Sequence, residues 1–379
     1  MGIDAQNRKV TDRMQNVALE CPVSKKCGGC QLSNMTYAEQ LSFKQAKVIR
    51  LLGKMHRVSE IIPSPRVFHY RNKVQAAFGK TKSGMIISGV YQSSTHNIVK
   101  TDACKIEDEA ADAIIATIRE MLRSFGLTVY DERTGKGFLR HVLVKHAFAT
   151  GEIMVVLVTG TPVFKSKNAF CEELLRRHPD ITTIIQNVNN RFTSLVLGEK
   201  ETVLYGSGYI TDVLCGVRFR ISSRSFYQIN RDCAELMFTK ALEYAELTGN
   251  ERVIDAYSGV GTIGLIAASK AKEVISVELN REAVKDAITN ARINGIRNTR
   301  FYCADATDFL ADMASAGQNA DLVIMDPPRA GSTVKFMKSV VSLSPEKILY
   351  ISCNPETLAR DLTYFLKNQY GIKKCCPFD

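Results

Sequence analysis

The stretch ILYISCNPETLARDL, residues 348–362, puts a thiol where an apolar run turns into a helix. Residues 348–351 read as a buried strand. Asn354 suits an N-cap, Pro355 the first helical position and Glu356 the first turn. Cys353 therefore stands beside a helix N-terminus, whose partial positive charge favours a thiolate, and Arg329 could add to it. A sulfur so placed can serve as a nucleophile. A buried bystander cysteine is the competing reading.

Two other stretches carry polar groups at the same kind of junction. In DLVIMDPPRAG, Asp326 follows an apolar strand and is fixed by Pro327 and Pro328, which continue neither a ladder nor a helix. A stiff loop holding a carboxylate suits the recognition of a planar base; a proline turn with a capping Asp is the plainer alternative. In VIDAYSGVGTIGL, Gly259, Gly261 and Gly264 form a G-x-G-x-x-G loop between strand and helix, and Glu278 ends the next strand, 23 residues after Asp255. That context predicts a nucleoside cofactor whose ribose hydroxyls bind the carboxylate. The loop alone does not separate a dinucleotide from S-adenosylmethionine. Asp305, ending a third strand, reads either as an adenine contact or as a helix cap.

The elements that must position these residues follow a regular β/α alternation from about residue 225 onward. Predicted strands are 252–257, 273–279, 300–305, 321–326 and 347–353, with helices such as 281–294 between them. The alternation implies α/β architecture with a doubly wound, mostly parallel sheet. Upstream, β-rich runs at 73–78, 84–91, 139–148, 153–159, 181–187 and 217–221 are interrupted by helices near 106–125 and 165–177, an α+β pattern. Residues 36–53 read as an amphipathic helix with Leu41, Val48, Leu51 and Leu52 on one side and Gly53 at its end. Residues 1–20 look like a tail or a first helix. The expected division is 1–60, 61–222 and 223–379.

The first segment carries a cysteine group. Cys21, Cys27 and Cys30 lie within ten residues, Gly28 and Gly29 let the backbone fold around an ion or cluster, and Cys104 is the next cysteine along. All-thiolate ligation suits zinc or an iron–sulfur cluster equally. The total of 11 cysteines is odd, and the N-terminus lacks the apolar core of a secretion signal, so a disulfide framework is not expected. No apolar run reaches membrane-spanning length. A soluble, cytoplasmic protein without an obligate protein partner is the expectation. The formal net charge of +11 favours an anionic partner, nucleic acid foremost.

Taken together, SFYQIN (225–230), DAYSGVGTIGL, DPPRAG and ISCNPETLARDL resemble the RNA (uracil-5-)-methyltransferases, in family order; the likeness extends to the N-terminal cysteines and to FHYRNKVQ (68–75). The resemblance implies a Rossmann-like, S-adenosylmethionine-dependent methyltransferase domain behind a β-rich RNA-binding domain. By resemblance Cys353 is the thiolate that adds to uracil carbon 6, and Asp326 binds the uracil edge and borders the methyl donor. Gln228, Tyr257, Gly259, Gly261, Glu278 and Asp305 look like cofactor contacts. The resemblance also favours a [4Fe–4S] cluster on Cys21, Cys27, Cys30 and Cys104, with zinc as the alternative, and structured RNA as partner, 23S ribosomal RNA ahead of transfer RNA. Arg66, His69, Arg71, Lys73, Lys80, Lys82 and Arg140 are candidate RNA-backbone contacts. Two family features lack a counterpart: an N-terminal β-barrel, for which the 20 residues before Cys21 are too few, and a C-terminal His-x-Glu segment, so a chain truncated after KKCCPFD is expected. A nicotinamide oxidoreductase accounts for the glycine loop but not for DPPR, Cys353 or the charge. A non-catalytic RNA-binding factor with a vestigial methyltransferase domain is the other rival.

Overall fold

The computed structural model describes residues 20–379. The expectation for residues 1–20 falls almost wholly outside them. Helix α1 (Tyr37–Leu52) opens with a full capping box, Thr36 and Glu39 each bonding the other's backbone N–H. A seven-stranded sheet follows, in the order β3-β2-β1-β4-β5-β6-β7. Its strands are β1 (Lys73–Lys80), β2 (Ile86–Tyr91), β3 (Ile98–Lys100), β4 (Leu139–Ala147), β5 (Glu152–Thr159), β6 (Ile181–Val188) and β7 (Lys200–Tyr205). Only β5 and β6 pair in parallel, and the crossover that this requires runs through helix α3 (Lys167–Arg177). Sequence reading missed β3 and β7, whose short or solvent-facing runs lack the apolar signal.

The period of two sorts the apolar residues of this sheet onto two faces. Val142, Val144, Val155 and Leu157 meet α2 (Glu109–Ser124) and α3. Leu143, Met154, Val156 and Val158 turn the other way, toward the hairpin β8 (Ile210–Leu214)–β9 (Val217–Ile221) and helix α4 (Arg231–Ala245). Burial on both faces explains the unbroken apolar run of β5, residues 153–158, and the shorter one of β4, residues 142–144. The second apolar cluster continues without a break into the C-terminal half, through Phe219, Phe238, Val253 and Leu322.

That half is built on a five-stranded sheet in the order β12-β11-β10-β13-β14, parallel throughout. The strands are β10 (Arg252–Asp255), β11 (Glu273–Glu278), β12 (Thr299–Cys303), β13 (Leu322–Met325) and β14 (Lys347–Tyr350). Its helices are α5 (Thr262–Ala267), α6 (Arg281–Ile293), α7 (Ala306–Ser315), α8 (Val334–Leu343) and α9 (Pro355–Lys367). Strand order reverses between β10 and β13, the switch point at which open α/β sheets bind ligands beyond their carboxyl ends. Helix α1 packs against α9, and the segment 375–379 runs beside 59–62 through Ser59 N–H to Cys375 O at 2.9 Å and Ile62 N–H to Pro377 O at 2.9 Å. Among the described residues no helix is long and apolar enough to cross a membrane.

Candidate active site at the carboxyl edge of the parallel sheet

The glycine loop leaves β10 with Gly259 at φ +54° and Gly261 at φ +83°, backbone that residues with a Cβ rarely adopt. Open space faces Gly259, where a ligand can lie against the backbone. Gly264 serves packing: a Cβ there would meet Asp255 Oδ2 and Ser276 Oγ at 2.9 Å. Glu278 accepts the Gly259 N–H at 3.0 Å and the Asn280 N–H at 2.7 Å, which sets its carboxylate at the rim of the loop. Asp255 lies beneath and accepts the Gly264 N–H through Oδ2 at 2.9 Å, while its buried Oδ1 has no partner among the described residues. Burial pushes Asp255 up to about 7.

Asp326 continues β13 into the double proline. Burial alone pushes it up to about 6, with no hydrogen bond or opposing charge to offset the desolvation. Its charge is felt by Asp255, so the two carboxyls are neighbours. The register Met325–Tyr350 carries β14 on to Cys353 beside the proline loop, and the Ile351 N–H bonds Met325 O at 2.9 Å. Cys353 is exposed. Asn354 caps α9, accepting the Glu356 N–H at 3.1 Å, with Pro355 in the first turn. Tyr257, from the glycine loop, packs on Phe336 with ring centroids 5.0 Å apart. Asp305 is the N-cap of α7 and accepts the Thr307 N–H at 2.7 Å, so the capping half of its double reading is observed.

What holds the proline loop against the thiol's helix is a pair that sequence reading quoted and left without a role. Arg360 and Asp361 of LARDL project from α9. Arg360 donates to Ala330 O at 3.0 Å, to Ser332 O at 3.1 Å and, through Nε, to Asp361 at 2.8 Å. Fully buried Asp361 accepts the Ser332 N–H and the Tyr350 hydroxyl, each at 2.7 Å. Asn354 and Thr357 donate to Arg329 O at 3.2 and 3.3 Å. The DPPRAG loop, β14 and the start of α9 thus form one braced unit.

The SFYQIN segment, which bears Gln228, is held from the other sheet. Lys145 of β4 is buried and donates to Ser222 O at 2.7 Å and Ser225 O at 2.9 Å. Burial pushes its ammonium down to about 7. Asn72 donates to Gln228 O at 3.0 Å, and its own N–H bonds Ile229 O at 3.0 Å. Ser225 Oγ adds a bond to Asp286 at 2.8 Å. Neither Lys145 nor Asn72 carries a sequence signal for this task, because their partners lie 80 and 156 residues away.

The four cysteines of the N-terminal group are half-buried. Burial raises the Cys30 thiol first, then Cys27 and Cys21 do, so these three share one neighbourhood; Arg71 and Glu107 act on the same sulfur. Cys104 is pushed up to about 11, by burial and then by Glu107. Gly28, at φ +67°, turns the backbone back at the end of the helical turn Ser24–Cys27. Among the described residues, however, no three Cys, His, Asp or Glu side chains are placed to hold a metal ion. The expected ligands Cys21, Cys27, Cys30 and Cys104 are thus not gathered into one metal-binding group among the described residues.

The expected RNA contacts divide. Arg140 is a correction: it is 5% exposed, stacks on Tyr130 and donates to Asn189 O and Arg191 O, so it holds a loop and does not face solvent. Arg66 lies over Phe148 and pairs with Asp232 at 3.1 Å. Lys80 ends β1 and Lys82 lies in the turn beyond it.

Residues 36–379 match the family model described as tRNA (Uracil-5-)-methyltransferase. The chain belongs to that family. Relatives named as RNA methyltransferases agree. One from Halalkalibacterium halodurans is 40% identical over 368 residues, covering 96% of this chain and 80% of its own length. Another, from Clostridium tetani, is 40% identical over 374 residues, covering 98% and 81%. Among solved structures, the Pyrococcus abyssi tRNA (uracil-54, C5)-methyltransferase in complex with S-adenosyl-L-homocysteine superimposes with a TM-score of 0.72 at 30% identity, covering 88% of this chain and 78% of that one. The methyltransferase is thus an S-adenosylmethionine-dependent RNA-modifying enzyme of α/β fold. The residues present suit that cofactor, since the open face of Gly259 and the unpartnered carboxyl of Asp326 leave room and hydrogen-bonding capacity at the switch point.

Proposed function

We propose that the enzyme methylates carbon 5 of a uridine in structured RNA, through a transient bond between Cys353 and uracil carbon 6. The observation that carries this is the bracing of an exposed thiol and a desolvated carboxyl, Cys353 and Asp326, onto one unit at the carboxyl edge of the sheet. Carbon 5 of uracil is a weak nucleophile. Addition of the Cys353 sulfur to carbon 6 moves the ring's electron pair onto carbon 5 and the neighbouring carbonyl. S-adenosylmethionine, when bound, supplies the methyl group. A base or solvent water then takes the carbon 5 proton, and the electron pair of that bond re-forms the carbon 5–carbon 6 double bond and expels the Cys353 thiolate. Asp326 holds the uracil edge, and the doubled proline keeps it from turning away. Gln228, Tyr257, Gly259, Gly261, Glu278 and Asp305 line the cofactor side, with Glu278 on the ribose hydroxyls. The base must leave its stack to reach the thiol, which is cheapest from a loop or bulge.

The substrate we propose is 23S ribosomal RNA, by the likeness of the N-terminal cysteines to the iron–sulfur members of the family. Transfer RNA is the second reading, favoured by the P. abyssi neighbour's substrate. We also propose that Cys21, Cys27, Cys30 and Cys104 hold a [4Fe–4S] cluster; a cluster spreads its sulfurs wider than one ion does, and all-thiolate donors suit iron. It would tie the N-terminal segment to the 104–107 turn. The division into 1–60, 61–222 and 223–379 follows the same reading. Methyl incorporation into unmodified ribosomal and transfer RNA, wild type beside Cys353→Ala, tests the function: the wild type labels one RNA class and the variant neither. Iron and sulfide content of anaerobically purified protein, lost in Cys104→Ser, tests the cluster.

A further inference from the structure

Of the cations expected to meet RNA, Arg66, His69 and Arg140 are occupied, while exposed Lys73, Lys80 and Lys82 have no carboxylate partner among the described residues. A second run of unpaired cations adjoins the helix that follows Cys353. Residues 40–59 contain Lys44, Lys47, Arg50, Lys54 and Arg57 and neither Asp nor Glu. We propose that α1 and the turn after it form a docking strip for the RNA backbone beside the Cys353 site. The inference rests on the RNA-methyltransferase reading and adds where the nucleotides flanking the target uridine lie.

Lys47 fixes the strip's place. Its Nζ is 3.1 Å from Glu356 Oε1, and Glu356 stands in the first turn of α9, three residues beyond Cys353. One turn of α1 to either side are Phe43 and Arg50, four and three residues away, hence neighbours on the same surface. Phe43 is 49% exposed, and Arg50, Lys54 and Arg57 are exposed as well. Among the described residues no carboxylate pairs with these three cations, whereas Lys44 is taken by Asp379. The strip ends where the segment 375–379 returns alongside 59–62, two residues after exposed Lys373.

An aromatic ring among unpaired cations is the surface that takes single-stranded nucleic acid. Each phosphate finds a cation, and an unstacked base finds a π-face whatever its identity. Flipping the target uridine into the Cys353 site leaves its neighbours unstacked, so the occupant is the strand flanking that uridine. Because α1 belongs to the segment that follows the cysteine group, that segment contributes directly to RNA binding.

The test is RNA binding across a salt series, with S-adenosylmethionine affinity and the unfolding midpoint measured in parallel. For the triple variant Arg50→Gln/Lys54→Gln/Arg57→Gln, the slope of log affinity against log salt should fall by about 2, and affinity at moderate salt should fall at least tenfold. Cofactor affinity and unfolding stay at wild-type values. Phe43→Ala should weaken binding roughly fivefold to tenfold with the slope unchanged, and Phe43→Tyr should restore it. Lys270→Gln, on the exposed turn that leads into β11 at the amino end of the parallel sheet, serves as the control for loss of charge in general. A wild type that binds and methylates RNA, beside a triple variant of unchanged slope, overturns the strip alone. A wild type that neither binds nor methylates RNA overturns the parent reading and the strip with it.

Discussion

The two sheets put their polar residues to opposite uses. In the parallel sheet the groups proposed for the chemistry stand at or just beyond strand ends, where each strand hands over to a loop or helix: Glu278, Asp326 and Cys353. In the seven-stranded sheet the polar residues that matter are buried and reach sideways. Lys145 secures the carbonyls of 222 and 225, Asn72 secures Gln228 and Ile229, and Arg140 secures Asn189 and Arg191. One sheet presents groups and the other holds the presenting segments still. The lesson is that the cofactor-side segment 225–230 belongs by sequence to the methyltransferase half but by its hydrogen bonds to both.

Substitutions on the two sides should therefore fail differently. The largest effect is expected at Asp326. Asp326→Asn should lower single-turnover methyl transfer by about 10³-fold, the scale of losing an oriented group in the reacting site. The same change should stabilise the fold. Because the folded carboxyl titrates near 6 against an ordinary 3.8, its desolvation cost is absent below pH 4 and complete above pH 6. At pH 8 the variant should thus unfold with roughly 2–3 kcal/mol more stability than the wild type, a gain that vanishes in acid. Urea melts at pH 8 and at pH 4 check both limbs.

Next comes the brace. Asp361→Ala leaves Arg360, the Ser332 N–H and the Tyr350 hydroxyl without their partner, at a cost of about 3–5 kcal/mol. Denaturant midpoints would show it, and the turnover rate should fall more than cofactor affinity does, since the clamp sets the Asp326 and Cys353 loops and not the glycine loop. An equal loss in both would erase the distinction between the braced unit and the cofactor side. The smallest effect belongs to the holding sheet. Lys145→Met should raise the KM for S-adenosylmethionine roughly tenfold with little change in kcat, because the 225–230 segment loosens while the thiol's surroundings do not change. Steady-state kinetics with each substrate varied in turn separates the two parameters.

Much of the presenting sheet was legible in the sequence because each group proposed for the site sits inside a contiguous strand–turn–helix pattern. The five strands, the glycine turn, the double proline and the Asn354–Pro355 cap are all local signals. Asp305 showed the limit of that reading, since an Asp that caps and an Asp that binds look alike in sequence. The holding sheet was legible only as strands. Lys145 and Arg140 look like the surface cations of any basic protein; only tertiary pairing over dozens of residues shows them buried, and it reversed the expectation for Arg140. Arg360 and Asp361 were within a quoted motif, yet their partners in the DPPRAG loop lie about 30 residues upstream and carry no sequence mark.

The proposed reaction turns on the Cys353 sulfur bonding to the substrate ring. The most direct measurement is a denaturing gel, followed by peptide mass analysis, of the enzyme incubated with S-adenosylmethionine and an RNA carrying 5-fluorouridine, whose carbon 5 has no proton to lose. A stable protein–RNA adduct mapped to Cys353 is expected, dependent on the cofactor for its methylated mass and absent in Cys353→Ala. Methylation of ordinary RNA at wild-type rate by Cys353→Ala, or an adduct on any other residue, would contradict it.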